Sequence, residues 1–218
     1  MNVQQKKTVY FVRHGQSIHN GTPVFQSPDA PLSEQGVVQA QQIAERLAGV
    51  QFEVLISSPF PRAHQTAQAI ADKTGHEIVL SDLFIECRKP SRLAGKPFTD
   101  EQAAELQQQY LRTIYKPGGR VADAENFDDI VTRADNALEF LSTRPESSLV
   151  VVTHGWFLRV IIARVMLGNQ LTGANLKRFA ELITIDNTGI TVLDYRDAYE
   201  EDFVWRLITL NDRSHFAD

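Results

Sequence analysis

The chain has a single cysteine, Cys87, among its 218 residues, which excludes an internal disulfide and suits a reducing, cytoplasmic setting. It has no basic surplus: 22 lysines and arginines stand against 27 aspartates and glutamates, for a net charge of −5. That balance argues against a nucleic-acid partner. No G-x-G-x-x-G follows the first apolar run, and Pro117-Gly118-Gly119-Arg120 lacks the Gly-Lys-Ser/Thr of a nucleotide P-loop. There is no solenoid repeat, low-complexity tract or linker, so the length suits one large domain over residues 1–218. The apolar run after Lys6-Lys7 is too short for a signal peptide and lacks a small-residue cleavage site. An uncharged membrane-length run is missing too. The longest apolar window, 149–167, contains His154-Gly155, Arg159 and Arg164. Each arginine would cost roughly 2.5–3.5 kcal/mol at a bilayer centre. A strand, a turn and a helix explain the window better, in a soluble protein with no membrane partner.

What is present alternates between strand and helix patterns. Val9 to Val12 reads as a buried strand ending at Arg13-His14-Gly15. Ser33 is placed as the N-cap of a helix to about Ala48, with Val37, Ala40, Ala44 and Leu47 on its apolar stripe. Phe52 to Ile56 is a second strand, followed by a helix from about Pro61 that Gly75 closes, and Glu77 to Leu80 is a third. Proline and glycine crowd the stretch from 81 to 125 around one helix, about Asp100 to Ile114, which predicts an irregular insertion or lid. Phe127, Ile130, Val131, Ala134, Leu138 and Leu141 mark an amphipathic helix. Leu149 to Thr153 is a strand, with a helix from Trp156 to Leu167. Leu182 to Ile185 and Ile190 to Tyr195 predict a hairpin around Asp186-Asn187-Thr188-Gly189, with a last edge strand at Val204 to Leu210. The pattern predicts a three-layer α/β/α sandwich with a mostly parallel central sheet.

Of six histidines, two share one context: Val12-Arg13-His14-Gly15 and Val152-Thr153-His154-Gly155 each end an apolar strand. Parallel neighbouring strands would bring both rings to one edge of the sheet, where open α/β sheets hold ligands. Arg62 starts the helix after the second strand at that same edge. A helix N-terminus favours anions, and a guanidinium fork matches phosphate oxygens. Two arginines and two histidines converging there describe an oxyanion site suited to phosphate. His19, His64, His76 and His215 read as surface or capping residues, and Asp128-Asp129 and Glu200-Glu201-Asp202 as solvated charge rather than metal ligands.

Arg13-His14-Gly15, Pro31-Leu32-Ser33-Glu34-Gln35-Gly36, Ser57-Ser58-Pro59 with Arg62-Ala63 and Gln65-Thr66-Ala67, Glu86, and Thr153-His154-Gly155 resemble, in order, the histidine phosphatase (phosphoglycerate mutase-like) superfamily. The resemblance implies that His14 is the nucleophile forming a phosphohistidine, with Arg13, Arg62 and His154 holding the phosphoryl oxygens. It also implies a phosphate contact for Asn20 and places Gly155 at the phosphate. One branch carries an aspartate after the second histidine. Gly155 stands there instead, so Glu86 is expected to be the proton donor and then the base for water. No metal or other cofactor is implied. The expected partner is a phosphorylated small molecule, less so a phosphoprotein, while the oligomeric state stays open. Arg88, Lys89, Arg92 and Lys96 suggest either further negative charge on the substrate or a solvated basic loop. The stretch after Glu86 lacks the tyrosine usual in phosphoglycerate mutases, which favours a phosphatase. A mutase and a non-catalytic phosphate-binding protein remain as alternatives.

Overall fold

The computed structural model describes residues 6–196 and 204–216; the acidic run Glu200-Glu201-Asp202 lies outside them. Six strands form one sheet: β1 (Lys6–Arg13), β2 (Val54–Ser57), β3 (Ile78–Leu80), β4 (Ser148–Thr153), β5 (Ile190–Arg196) and β6 (Trp205–Asp212). Their order is β3-β2-β4-β1-β5-β6. The first four are parallel, while β5 runs antiparallel to β1 and β6 antiparallel to β5.

The two-residue period of the strands sorts the core into two layers. Val12, Leu55, Val150 and Val152 face α1 (Glu34–Ala48) and α2 (Pro61–Thr74), against Ile43, Leu47, Ala67 and Ile70. Val9, Phe11, Ile56 and Val151 face the opposite way. They pack on α4 (Phe127–Thr143) and α5 (Gly155–Leu167), through Ile130, Leu141, Phe157 and Ile161. Each such fully buried aliphatic side chain contributes about 1.5–3 kcal/mol. The three-layer reading of the sequence is therefore met. The membrane-length window resolves into β4 and the 13-residue α5, and among the described residues no helix is long and apolar enough to cross a membrane.

Local signals explain most boundaries. The Ser33 hydroxyl accepts from the Gly36 amide and caps α1, and Gly75 takes the left-handed conformation that ends α2. Between β3 and α4 lie two short 3₁₀ turns (Asp82–Phe84 and Ser91–Leu93) and α3 (Glu101–Thr113), capped by Asp100. Two expectations are corrected. Val37 is exposed, and Ile43 with Gly36 completes the buried face of α1 instead. The hairpin at 182–195 is absent. Leu182 ends α6 (Gly173–Leu182), capped by Thr172, and residues 183–189 form a loop beneath β1. There the Thr188 amide donates to the Arg13 carbonyl, and β5 pairs with β1 and β6.

Candidate active site

β1 and β4 are parallel neighbours in a register that sets Arg13 beside Thr153. The residues that follow, His14 and His154, therefore leave the sheet side by side, with ring centroids 4.9 Å apart. The His14 amide still donates to the Thr153 carbonyl at 2.9 Å. Beyond His14 the chain passes tightly under α1: a Cβ at Gly15 would lie 2.6 Å from the Gly36 oxygen. That approach needs glycine.

The hydrogen bonds of His14 fix its tautomer. Nδ1 lies 2.6 Å from the Gly15 carbonyl, to which it donates, and Nε2 accepts from Arg62 Nε at 3.2 Å. The lone pair of the ring thus sits on Nε2, where it takes a hydrogen bond from a guanidinium. Arg62 itself is tethered by the Ser27 and Pro28 carbonyls, at 3.3 and 3.0 Å. Burial pushes His14 well below the usual histidine range, with Arg62 and Arg13 adding to the effect. His154 is lowered in the same way, by burial first and then by Arg62, His14 and Arg13. Burial brings Arg62 down to about 10, which leaves it a cation at neutral pH.

Ser58 orients the second histidine. Its Oγ accepts from the Phe60 amide at 3.3 Å and lies 2.8 Å from His154 Nε2, within hydrogen-bond reach. The other ring nitrogen, Nδ1, is buried with no hydrogen-bond partner among the described residues. Arg13 Nε is buried and unpartnered as well, although one of its terminal nitrogens donates to the Ile185 carbonyl at 2.6 Å. Buried polar atoms rarely go unsatisfied: Arg13 Nε is a donor that suits an anion, and His154 Nδ1 is another when it carries the ring proton. Gly155 makes room for Arg13: a Cβ there would lie 3.0 Å from Arg13 Nε.

Glu86 is placed by α5. Its Oε1 accepts from the amides of Cys87 and Phe157, each at 2.9 Å, and its Oε2 from Trp156 at 3.3 Å. The carboxylate thus fills the N-terminus of α5, where the aligned peptide dipoles favour negative charge. It lines a cavity together with Arg62. Asn20 does not reach the histidines. It binds Ser17 and Asn187, and Asn187 Nδ2 donates to the His14 carbonyl at 2.8 Å. Of the basic stretch, Arg88 and Lys89 line the cavity, whereas Lys96 pairs with Asp100 at 3.5 Å. Glu125 is buried on Arg133, and Asn126 forms a capping box with Asp129 at the start of α4. His76 stacks on Phe52 and bonds Thr74, the structural part expected of it.

Sequence reading missed Ser58, Thr66, Asn187 and Arg133 as support. Thr66 Oγ1 accepts from the Gly15 amide at 3.1 Å and donates to the Arg62 carbonyl at 2.7 Å, tying the two strand ends together. Thr66 lies one turn beyond Arg62 on α2, a spacing that could have signalled it.

The buried neutral histidines predict a pH-dependent stability. Unfolded, each titrates near its ordinary value of about 6.5. Folded, both lie well below it. As pH falls through about 6.5 the unfolded chain takes up protons that the folded one does not. Stability then drops by up to about 1.4 kcal/mol per pH unit per histidine. Urea midpoints should therefore fall less steeply from pH 7 to 5 in His154→Asn than in the unaltered protein. Parallel slopes would contradict the buried, neutral ring.

The pattern of the histidine phosphatase superfamily (branch 1) matches residues 9–212. A probable phosphoglycerate mutase of Enterobacter sp. is 29% identical over 212 residues, covering 95% of this chain and 94% of that protein. The fold is that of an α-ribazole phosphatase from Shigella flexneri (TM-score 0.77, 19% identity, 94% and 96% of the two chains). It is shared with a phosphoserine phosphatase from Entamoeba histolytica (TM-score 0.75, 20% identity, 97% and 100%). The chain belongs to the histidine phosphatase superfamily, branch 1, and is an enzyme of that phosphatase family.

Proposed function

We propose that the protein is a phosphomonoesterase that hydrolyses a phosphorylated small molecule through a phosphohistidine on His14, without a metal, in the cytoplasm. The observation that carries this reading is the fixed, neutral Nε2 of His14 beside two buried nitrogens that lack partners among the described residues, Arg13 Nε and His154 Nδ1. An attacking nitrogen must be unprotonated, and the charge gathering on the phosphoryl oxygens must meet preorganised donors. Nε2 forms the N–P bond as the P–O bond to the alcohol breaks. Glu86 gives the leaving alkoxide its proton, then takes one from the water that cleaves the N–P bond. Its Oε2, held by one long hydrogen bond, is the oxygen freer to carry that proton. The stretch 81–125 would act as the binding insertion above the site. Asn20 would contribute through Asn187 and the loop that carries His14.

The relative named as a phosphoglycerate mutase supports a second reading, transfer of the phosphoryl group back to a phosphoglycerate. One set of assays separates the readings. The phosphatase should release phosphate from 4-nitrophenyl phosphate in chelator. Isomerisation of phosphoglycerate that depends on a bisphosphate primer would favour the mutase, and no turnover between acid and neutral pH would leave a binding protein. In the same assay Glu86→Gln should slow alkyl phosphates far more than the nitrophenyl ester. Equal losses would remove Glu86 as the proton donor.

A further inference from the structure

A cavity of about 760 Å³ opens from Arg62 and Glu86 away from the histidines. It lies between the 81–125 stretch and the start of α5, with walls that include Phe25, Phe60, Leu93, Leu111, Ile114 and Trp156. This volume is in the range of pockets that hold whole drug-sized molecules and is several times what a phosphorylated three-carbon acid displaces. Burial holds the Tyr110 phenol and the Cys87 thiol in their neutral forms.

Two of the cations outside the phosphate end answer one carboxylate. Arg133 is held by Glu125 at 2.8 Å, and Arg88 reaches the same carboxylate at 3.5 Å. Lys89 shares the cavity lining with Asp82 and Asp123. With Arg133 and Arg88 sharing Glu125, Lys89 is the remaining cation of the lining away from Arg62, a single charge rather than a cluster for another phosphate. The apolar walls instead gain from removing hydrocarbon from water.

We propose that this cavity receives the body of the substrate and that the substrate is a phosphate monoester of a bulky, largely apolar alcohol. The proposal rests on the phosphomonoesterase reading above and names its substrate class. The ester oxygen lies at the Arg62 and Glu86 end, and the hydrocarbon extends towards Leu111 on α3. Leu111 is 52% exposed, so it forms part of the mouth of the cavity.

Straight-chain alkyl phosphates test this without a change in leaving-group basicity. From butyl to octyl phosphate, kcat/KM should rise at least about tenfold, since each buried methylene adds binding. In Leu111→Glu the octyl-to-butyl ratio should fall towards one. That ratio is internal to one sample, so any loss of folded protein cancels. A flat series in an enzyme that hydrolyses 4-nitrophenyl phosphate would overturn the substrate class and leave the phosphatase standing. Octyl and butyl phosphonate provide a readout that needs no turnover, through fluorescence of Trp156 on the cavity wall. Tighter binding of the octyl compound by a protein that hydrolyses nothing would uphold the apolar site and overturn the reaction. Equal binding of both would overturn the site.

Discussion

His14→Ala should lower hydrolysis of 4-nitrophenyl phosphate by at least about 10³-fold, or about 4 kcal/mol in the barrier, while leaving oxyanion binding largely in place. The two effects separate because the nucleophile and the clamp are different atoms. In the proposed mechanism Nε2 of His14 supplies the electron pair, and Arg13, Arg62 and His154 supply the donors. Removing the ring takes an acceptor from Arg62 Nε, whose other end stays tethered by the Ser27 and Pro28 carbonyls. Vanadate should therefore still bind the variant within about tenfold of the unaltered protein. Rapid quench of the unaltered enzyme should trap labelled phosphate that survives base and is lost in acid, the behaviour of a phosphoramidate. A variant that kept its turnover would show that water attacks phosphorus directly, with His14 a bystander.

The residues that made this site readable are those whose role is set by their own few neighbours in sequence. Two strands ending in X-His-Gly, and an arginine one residue into a proline-started helix, carry their geometry locally. The β1–β4 register then does the rest. What escaped reading depends on distant partners. Glu86 could be matched to a family position, yet its place at the N-terminus of α5 rests on amides about 70 residues away, and nothing near residue 86 signals them. The hairpin failed for a similar reason. Asp186-Asn187-Thr188-Gly189 does close a turn, the Gly189 amide donating to the Asp186 carbonyl at 3.0 Å, but no strand precedes it, and its other groups hold distant partners: Thr188 binds Arg13, Asn187 binds His14 and Asp186 binds Asn211. Leu182 to Ile185 reads as strand because Leu and Ile fit strands, whereas α6, started by its Thr172 cap and held by the buried Leu176, runs through Leu182 and ends with the Ile183 amide on the Phe179 carbonyl. The apolar stripe of α4 was read correctly, but Arg133 sits inside it, a charge that a hydrophobic pattern passes over.

Arg133 is also where a single substitution should cost the fold most. Its guanidinium is fully used. Nε and one terminal nitrogen donate to Glu125, each at 2.8 Å, and the other terminal nitrogen donates to the Leu83 and Ile85 carbonyls at 3.1 and 2.9 Å. The group also lies 3.8 Å over the Phe157 ring. Burial alone would raise the Glu125 carboxyl, but the hydrogen bonds and charge of Arg133, with the Arg88 amide, hold it below its ordinary value. Arg133→Met keeps the stem and the contact with Phe157 but leaves that carboxylate buried with only Arg88 to answer it. Breaking a buried pair from one side costs about 3–5 kcal/mol. The retained Arg88 contacts put this case at the low end, near 3 kcal/mol. A chain of this size should then lose about 6–12 °C in Tm. Adding Glu125→Gln should recover part of the loss, because the stranded charge and not the missing attraction dominates it. The same variant should slow alkyl phosphates more than 4-nitrophenyl phosphate, because Arg133 holds the carbonyls of Leu83 and Ile85, just ahead of Glu86. If Arg133→Met melted with the unaltered protein, the carboxylate of Glu125 would have to be reaching water. The pairing drawn between α4 and the Glu86 segment would then be wrong.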